Sequence, residues 1–183
     1  HHGRLKGGAT VEKLDGGNAV LLLDGKDDYV ECPAAVDLKT ARFTVCAWIQ
    51  KPDARCRIVV AKGNGFVKGE WSLGWVWPGN AANISFRAGN RFVASSSESI
   101  PTGEWAHVAF VRDGDRGTIY VDGKPSGDEK GLGTEPWSNA KPLLIGRREL
   151  ERSPALFKGL VDDVRLYGSV LSGQEIRALA QLR

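Results

Sequence analysis

The 183-residue chain is predicted to be all-β, a two-sheet antiparallel sandwich or jelly roll with a short C-terminal helix. Two observations support this fold class. Short segments with β-branched or aromatic residues and period-two alternation recur along the whole chain. Turn dipeptides such as Asp113-Gly114 and Asp122-Gly123 separate them. Short strands at such regular spacing are typical of sandwiches and jelly rolls.

The alternation predicts strands, in chain order, at 19–23, 28–32, 42–50, 57–62, 70–77, 83–87, 91–95, 105–112, 117–122, 142–146 and 157–167. One helix is predicted at the C-terminus. Ser172 and Glu175 have the spacing of a capping box, in which each side chain bonds the other's backbone N–H. Ile176, Leu179 and Leu182 follow at helical spacing.

Charge and length limit the classes of partner. The chain has 25 Lys and Arg against 22 Asp and Glu, a net charge of +3, and both signs are interspersed. The positive charges are therefore not clustered into the basic patch that is typical of nucleic-acid-binding proteins. The longest apolar run, 19–23, is far shorter than the ~18 residues of a membrane-spanning helix. The sequence therefore predicts neither a nucleic acid nor a membrane as partner.

The first residues resemble the end of an expression tag. The chain contains no Met and opens His1-His2-Gly3. We interpret residues 1–3 as a tag remnant and 4–183 as one domain of a longer protein, because this length suits a single sandwich.

The cysteines do not form a metal-binding pattern. Cys32, Cys46 and Cys56 include no Cys-x-x-Cys pair, and His107 is the only histidine outside the first two residues. A zinc site is therefore not expected. Cys46 and Cys56 flank a turn-like stretch at 51–53, so a cross-strand disulfide between them is one interpretation. Buried free thiols are the favoured one.

Five segments stand in the order and spacing seen in a known family. They are 23–30, 43–49, 103–109, 119–124 and 159–167. Together they resemble the laminin-G-like, concanavalin A-like jelly-roll modules over nearly the whole chain. The resemblance implies two stacked antiparallel sheets with a concave face. It also implies frequent use as a carbohydrate-binding accessory domain of secreted enzymes. Pentraxins, laminin globular modules, glycoside hydrolases and lyases look similar too, so function has to be argued from the residues.

The residues do not predict catalysis. Sandwich glycosidases of this superfamily carry carboxylates at alternating positions of one strand. The two carboxylates of a retaining enzyme stand ~5 Å apart, so both must lie on one face. Asp162 and Asp163 are adjacent, so they point to opposite faces of their strand. Glu149 and Glu151 alternate, but their charged run is interpreted as a solvated loop. His107 has no nucleophile or carboxylate partner in a recognisable motif, and we interpret it as a buried structural residue.

Four of the six tryptophans are assigned to the scaffold. Trp71 and Trp75 alternate with a leucine on one face of a strand, which favours the core. Trp48 has the parity of the opposite, non-core face of its strand. The resemblance nevertheless implies a structural role for it, and Trp105 is treated likewise.

Trp77 and Trp137 are the predicted sugar-stacking rings. Trp77 adjoins the turn at 78–80, and Trp137 lies in the turn-rich stretch 124–141, which is predicted to be the longest loop. Flat aromatic rings with a polar handle suit ligands that are apolar on one side and polar on the other.

Arginine supplies the polar part of the predicted site, because a guanidinium forms paired hydrogen bonds to hydroxyls or to a carboxylate. Arg87 alternates with Phe86, so it is expected on the outer or concave face of its sheet. An anionic glycan would suit this site. The predicted ligand-binding residues are Trp77, Trp137, Arg87, Asn80, Asn83, Arg57 and Arg147.

Two acidic clusters suggest a calcium ion. Asp24, Gly25 and Asp27 lie on one strand end, and the resemblance brings that strand beside the one with Asp163. Calcium takes six to eight hard oxygens from carboxylates and turn carbonyls. The alternative is an Asx-turn with ordinary capping carboxylates.

The sequence therefore predicts a non-catalytic carbohydrate-binding module of a secreted polysaccharide-active enzyme, acting as a monomer on a polysaccharide or oligosaccharide. The first alternative is a laminin-G or pentraxin-like protein-interaction module. The second is a polysaccharide lyase or hydrolase.

Overall fold

The computed structural model describes residues 2–14, 16–53, 57–75, 83–148 and 155–183. Its strands are β1 (Arg4–Lys6), β2 (Thr10–Lys13), β3 (Ala19–Asp24), β4 (Tyr29–Cys32), β5 (Arg42–Gln50), β6 (Ile58–Lys62), β7 (Trp71–Gly74), β8 (Asn83–Ala88), β9 (Arg91–Ser99), β10 (Trp105–Asp113), β11 (Arg116–Val121), β12 (Lys124–Glu129), β13 (Leu143–Ile145), β14 (Arg147–Arg148), β15 (Ala155–Leu156) and β16 (Lys158–Tyr167). One helix, α1, spans Gly173–Leu179.

The strands form two large antiparallel sheets. The first has the order β1-β4-β13-β6-β7-β8-β9, and the second has the order β12-β11-β10-β5-β16-β3-β2. β14 and β15 pair separately. The core lies between the two large sheets. The predicted fold class, an antiparallel sandwich with a short C-terminal helix, is confirmed.

The predicted loop at 124–141 is wrong in its first third. Residues 124–129 form β12, which pairs with β11 at the edge of the second sheet. Pro125 and Gly127 suggested a turn, but an edge strand tolerates proline because one side of it needs no ladder partner. A register shift between Ile119 and Tyr120 accommodates the irregular strand. The sequence did not predict the short strands β1, β2, β14 and β15, which have two to four residues each.

The C-terminal helix begins as predicted. Ser172 is the N-cap, and both hydrogen bonds of the capping box with Glu175 are present. Ile176 is buried, whereas Leu182 lies beyond the helix end and is 62% exposed. No helix in the described parts of the chain is long and apolar enough to cross a membrane.

Aromatic rings hold the two sheets together. Phe86 of the first sheet stacks on Phe110 of the second, with ring centroids 3.8 Å apart and planes 16° apart. Trp71 stacks on Phe86 from the neighbouring strand at 5.6 Å. Trp71 and Trp75 are both buried in this core, which confirms their assignment to the scaffold.

A buried lysine fastens loops to the first sheet. Lys62 is fully buried, and its Nζ donates to the carbonyl oxygens of Ala34, Val36 and Lys141 at 2.7–2.9 Å. The Asp37 carboxylate lies 3.6 Å from the same Nζ. Burial lowers the pKa of Lys62, and Asp37 opposes that shift. Every donor of this cation therefore has an acceptor.

The C-terminal segment covers the outer face of the second sheet. Ile176 packs against Cys46, Ala109 and Val111. The Arg183 guanidinium carbon lies 3.4 Å from the ring centre of Trp105. Burial raises the pKa of the Cys46 thiol to about 11, with a smaller effect from Arg165 that opposes it.

The favoured interpretation of the cysteines holds where they are described. Cys46 and Cys32 are free and buried. Cys56 lies outside the described residues.

His107 and Trp48 are adjacent across this same outer face. They are register partners, and their rings meet edge to face at 5.4 Å. Trp48 therefore lies on the non-core face, as strand alternation predicted. Its side chain is nevertheless buried, with 8% exposure. His107 is 2% exposed, and its Nδ1 has no hydrogen-bond partner. Burial, assisted by the charge of Arg165, lowers the pKa of His107 to about 4.

Truncating the central aromatic ring is expected to destabilise the fold strongly. Phe86→Ala should lower the free energy of unfolding by about 3–5 kcal/mol, because it removes a fully buried ring and leaves a cavity. Urea denaturation measures the change. Val11→Ala is the control, since Val11 is 58% exposed and its loss should cost under about 0.5 kcal/mol. Equal effects of the two variants would contradict this packing.

His107 is expected to make stability depend on pH. Between about pH 6.5 and 4 the unfolded chain gains a proton at this residue that the folded chain does not. Stability should therefore fall as the pH drops through that window. Relative to wild type, His107→Leu should lose about 2 kcal/mol less between pH 7 and 4.5. Urea denaturation at both pH values tests this, and parallel losses in the two proteins would contradict the lowered pKa.

Candidate functional site

The outer face of the first sheet presents a row of side chains from three strands. Ser72 pairs with Arg87, and Arg87 pairs with Phe92. The sequence neighbours Trp71 and Phe86 are in the core. Since successive residues of a strand point to opposite faces, Ser72 and Arg87 face away from the core. The predicted outward orientation of Arg87 is confirmed.

Arg87 lies between two exposed phenyl rings. Its guanidinium carbon is 4.0 Å from the ring centre of Phe66 and 5.0 Å from that of Phe92. Its Nη2 donates to Asn90 Oδ1 at 2.9 Å. Phe66 is 39% exposed and Phe92 48% exposed. The cation is thus fixed in a strip of aromatic surface that solvent reaches.

A glycine lets the loop with Phe66 approach the sheet. Gly65 has φ +75°, and a Cβ there would lie 3.2 Å from Ser72 Oγ and 3.5 Å from Arg87 Cδ. A side chain at this position would be both strained and crowded. The loop therefore lies directly on Ser72 and Arg87, which places Phe66 against the guanidinium.

A second arginine reaches the same ring. The Arg148 guanidinium carbon lies 5.2 Å from the ring centre of Phe66. Burial lowers the pKa of Arg148 to about 10, and the charges of Arg87 and Arg57 add to that shift. Burial also lowers the pKa of Arg87. Three positive charges therefore act on one another at this face of the sheet.

These groups carry hydrogen-bonding atoms without partners. Ser72 Oγ, Arg87 Nε, and Arg148 Nε and Nη1 are all buried and unpaired. Within the described residues, no Asp or Glu oxygen lies within 4.0 Å of a guanidinium nitrogen of Arg57, Arg87 or Arg148. An unpaired buried polar group costs about 1–3 kcal/mol. We call Ser72, Arg87 and Arg148, with Phe66 and Phe92, the arginine site.

The other predicted ligand-binding residues lie at varying distances from this site. Asn83 is four positions from Arg87 on β8, and its Nδ2 donates to Ser96 O at 2.7 Å. Arg57 is exposed just before β6. Arg147 lies over the ring of Tyr29, at 4.7 Å.

The predicted ligand-binding role of Arg147 needs a correction. Arg148, and not Arg147, contacts Phe66 in the arginine site. Trp77 and Asn80 lie outside the described residues.

The predicted stacking ring Trp137 does not lie beside Arg87. Its ring lies 5.9 Å from Phe43 and 5.8 Å from Phe86, and it packs against the core. The Arg112 guanidinium carbon lies 3.8 Å from the ring centre. Phe86 points to the opposite side of the sheet from Arg87. Its position in a loop suggested an accessible ring, but Trp137 is partly buried against the core.

Sequence reasoning missed Ser72, Phe66, Phe92 and Arg148. The alternation that places Arg87 outward also indicates Ser72 and Phe92, because all three lie on paired strands. Phe66 and Arg148 gave no such signal. One lies in a loop, and both meet Arg87 only through the tertiary fold.

The predicted calcium ligands are only partly brought together. β3 and β16 do pair, but the register places Asp24 opposite Lys158. Asp163 is five positions further along, about 17 Å of strand, and its Oδ2 accepts from Arg165 at 2.6 Å. Its inclusion in the cluster is therefore wrong.

Asp28 takes the place of Asp163 in this acidic cluster. Asp24, Asp27 and Asp28 each offer an oxygen within 4.8 Å of the others. The carboxylate of Asp28 accepts from Asp24 N at 2.9 Å, and Asp24 Oδ1 accepts from Lys26 N at 2.8 Å. The second bond is the Asx-turn of the alternative interpretation. The donors are the hard oxygens that calcium prefers, so the exposed carboxylates of Asp24 and Asp27 fit such an ion.

A cavity of about 820 Å³ adjoins this cluster on the outer face of the second sheet. Leu22, Leu160 and Gln50 form its floor on adjacent strands. Its two carboxylates, Asp24 and Asp28, already accept backbone hydrogen bonds. The cavity therefore presents fewer unsatisfied polar groups than the arginine site.

Comparisons with known proteins agree with the fold. A zebrafish (Danio rerio) adhesion G-protein coupled receptor V1 is 29% identical over 149 residues. The match covers 76% of this chain and 2% of the receptor, so the chain spans a very small part of that relative.

Solved structures share the same architecture at low identity. Domain 4 of AbnA, an extracellular arabinanase of Geobacillus stearothermophilus solved with arabinotriose, has a TM-score of 0.75 at 19% identity, covering 96% of this chain and 82% of that one. A heptameric SAP-like pentraxin of Limulus polyphemus has a TM-score of 0.61 at 18% identity, covering 79% and 74%. A Trypanosoma rangeli sialidase mutant has a TM-score of 0.65 at 20% identity, covering 94% and 29%.

A family model assigns the chain directly. The model described as the concanavalin A-like lectin/glucanases superfamily, a laminin G type, matches residues 24–177. That span includes eleven of the fourteen strands of the two large sheets and most of the C-terminal helix. The chain therefore belongs to the laminin G-type family of the concanavalin A-like lectin/glucanases superfamily.

Proposed function

We propose that this domain binds a polysaccharide or oligosaccharide on the outer face of its first sheet. The observation that carries the proposal is Arg87, held between the exposed rings of Phe66 and Phe92 beside unpaired buried donors. Aromatic rings offer flat apolar platforms for the C–H faces of a sugar. Guanidinium and hydroxyl groups provide the directed hydrogen bonds that fix its hydroxyls.

The superfamily and the similar structures support this assignment. The arabinanase domain of the same architecture was solved with arabinotriose, which is bound by that protein. We propose that the present domain is likewise a non-catalytic accessory module of a secreted polysaccharide-active enzyme, acting as a monomer. Release of reducing sugar by the isolated domain would overturn the non-catalytic part.

Removing one ring of the arginine site is expected to weaken glycan binding. Phe92→Ala should raise the Kd for a retained polysaccharide about tenfold, since a stacked ring contributes on the order of 1–2 kcal/mol. Native affinity electrophoresis against a polysaccharide panel, followed by calorimetry, measures this. Val11→Ala, which also removes an exposed apolar side chain, should bind like wild type. Equal binding by Phe92→Ala and wild type would contradict this location, and failure of wild type to bind any glycan would contradict the function.

A protein-interaction module is the second candidate, and the adhesion receptor relative favours it. The same panel separates the two. The second candidate would be supported if neither wild type nor Phe92→Ala binds a glycan and both bind a protein ligand equally well.

A structural calcium ion at Asp24 and Asp27 stays a prediction. If it binds, Ca²⁺ added after EDTA treatment should raise the Tm of wild type by about 2–4 °C. Asp27→Asn should lose that gain, because a ligand carboxylate is gone. Asp163→Asn should keep it, since Asp163 lies far along β16. Calorimetry in which Ca²⁺ leaves the Tm of wild type unchanged would remove calcium from this cluster.

A further inference from the structure

The buried cations of this protein differ in how many of their donor atoms have an acceptor. Lys62 donates to three carbonyl oxygens and faces Asp37. Arg112, also fully buried, donates from Nε and Nη2 to the carbonyl oxygens of Gly114 and Gly133 at 2.9 and 2.8 Å, and its Nη1 is unpaired. Arg148 is 4% exposed, yet neither its Nε nor its Nη1 has a partner.

Arg87 and Arg148 both lie near the ring of Phe66. Both guanidinium carbons lie within 5.2 Å of the ring centre of Phe66. Ser72, the register neighbour of Arg87, is fully buried, and its Oγ is unpaired. Exposed Arg57 adds a third positive charge close enough to act on Arg148. The region therefore gathers cationic and hydroxyl donors, and no described Asp or Glu oxygen lies within 4.0 Å of these guanidinium nitrogens.

We propose that Ser72, Arg87 and Arg148, assisted by Arg57, form an oxyanion subsite that takes a carboxylate or sulfate group of an acidic glycan. This subsite rests on the proposed function for its sugar ligand. An oxyanion supplies several acceptor oxygens in one plane or tetrahedron, which suits two guanidinium groups and a hydroxyl at close range. It also neutralises the mutual repulsion of the three arginines. The rings of Phe66 and Phe92 would then contact the sugar that carries the acidic group.

The ligands for the test are matched pairs that differ only in charge. Polygalacturonate is compared with its methyl ester, which caps the carboxylate. A sulfated galactan is compared with its desulfated form. Wild type should bind the charged member of at least one pair about tenfold more tightly at constant ionic strength. The pair that shows this preference identifies the source of the oxyanion as a uronate or a sulfate ester.

The variants test which arginines produce that preference. Arg148→Gln should reduce the charged-to-neutral affinity ratio to about one, and Arg148→Lys should restore it only in part, because lysine lacks the planar fork. Arg57→Gln, at an exposed position, should lower the ratio without risk to folding. Arg4→Gln removes the same charge at the far edge of the same sheet and should leave the ratio unchanged. Circular dichroism confirms that each variant is folded.

The outcomes separate this inference from the proposed function. Equal binding of charged and neutral glycans by wild type overturns the oxyanion subsite while the glycan-binding function stands. A ratio that falls equally in Arg4→Gln and Arg57→Gln also overturns it, because net charge alone then explains the preference. If no glycan binds but sodium sulfate raises the Tm of wild type and not of Arg148→Gln, the subsite stands and the glycan function fails.

Discussion

The stack of Phe86 on Phe110 is the contact on which the rest of this sandwich depends. The rings come from opposite sheets and meet at 3.8 Å, so they set how the two layers face each other. Because Phe86 points inward, the next residue on the strand must point outward. Arg87 is therefore committed to the outer face by a core contact, and Ser72 is committed in the same way by Trp71.

The cost of burying cations explains why the arginine site is distinctive. A buried charge without acceptors destabilises the fold. The protein avoids that cost at Lys62, where backbone carbonyls of two loops receive all the donors. It avoids that cost only in part at Arg87 and Arg148, which keep unpaired nitrogens and both lie near one aromatic ring. The unpaired donors at this face therefore cost local stability.

The fold was largely predictable because its signals are local. Alternation found the central strands of both sheets, and Ser172 with Glu175 gave the start of α1. The failures have a common physical cause. β12 contains Pro125 and Gly127 and exists only because β11 offers it an edge to pair with. Trp137 was predicted to be a sugar-stacking ring because it lies in a loop, but its ring packs on Phe86, which is distant in the sequence.

Strand alternation predicts on which face of a sheet a residue lies, and that part of the site could be predicted from the sequence. Strand alternation by itself determined that the protein is a jelly-roll sandwich, that Trp71 and Trp75 lie inside, and that Arg87 faces out. Only the tertiary structure decided which groups meet Arg87, because Phe66 and Arg148 come from segments far apart in the chain. Register likewise decided the acidic cluster, since pairing Asp24 with Lys158 leaves Asp163 out of reach. Alternation assigns a residue to a face, whereas loop paths and strand register determine its neighbours there.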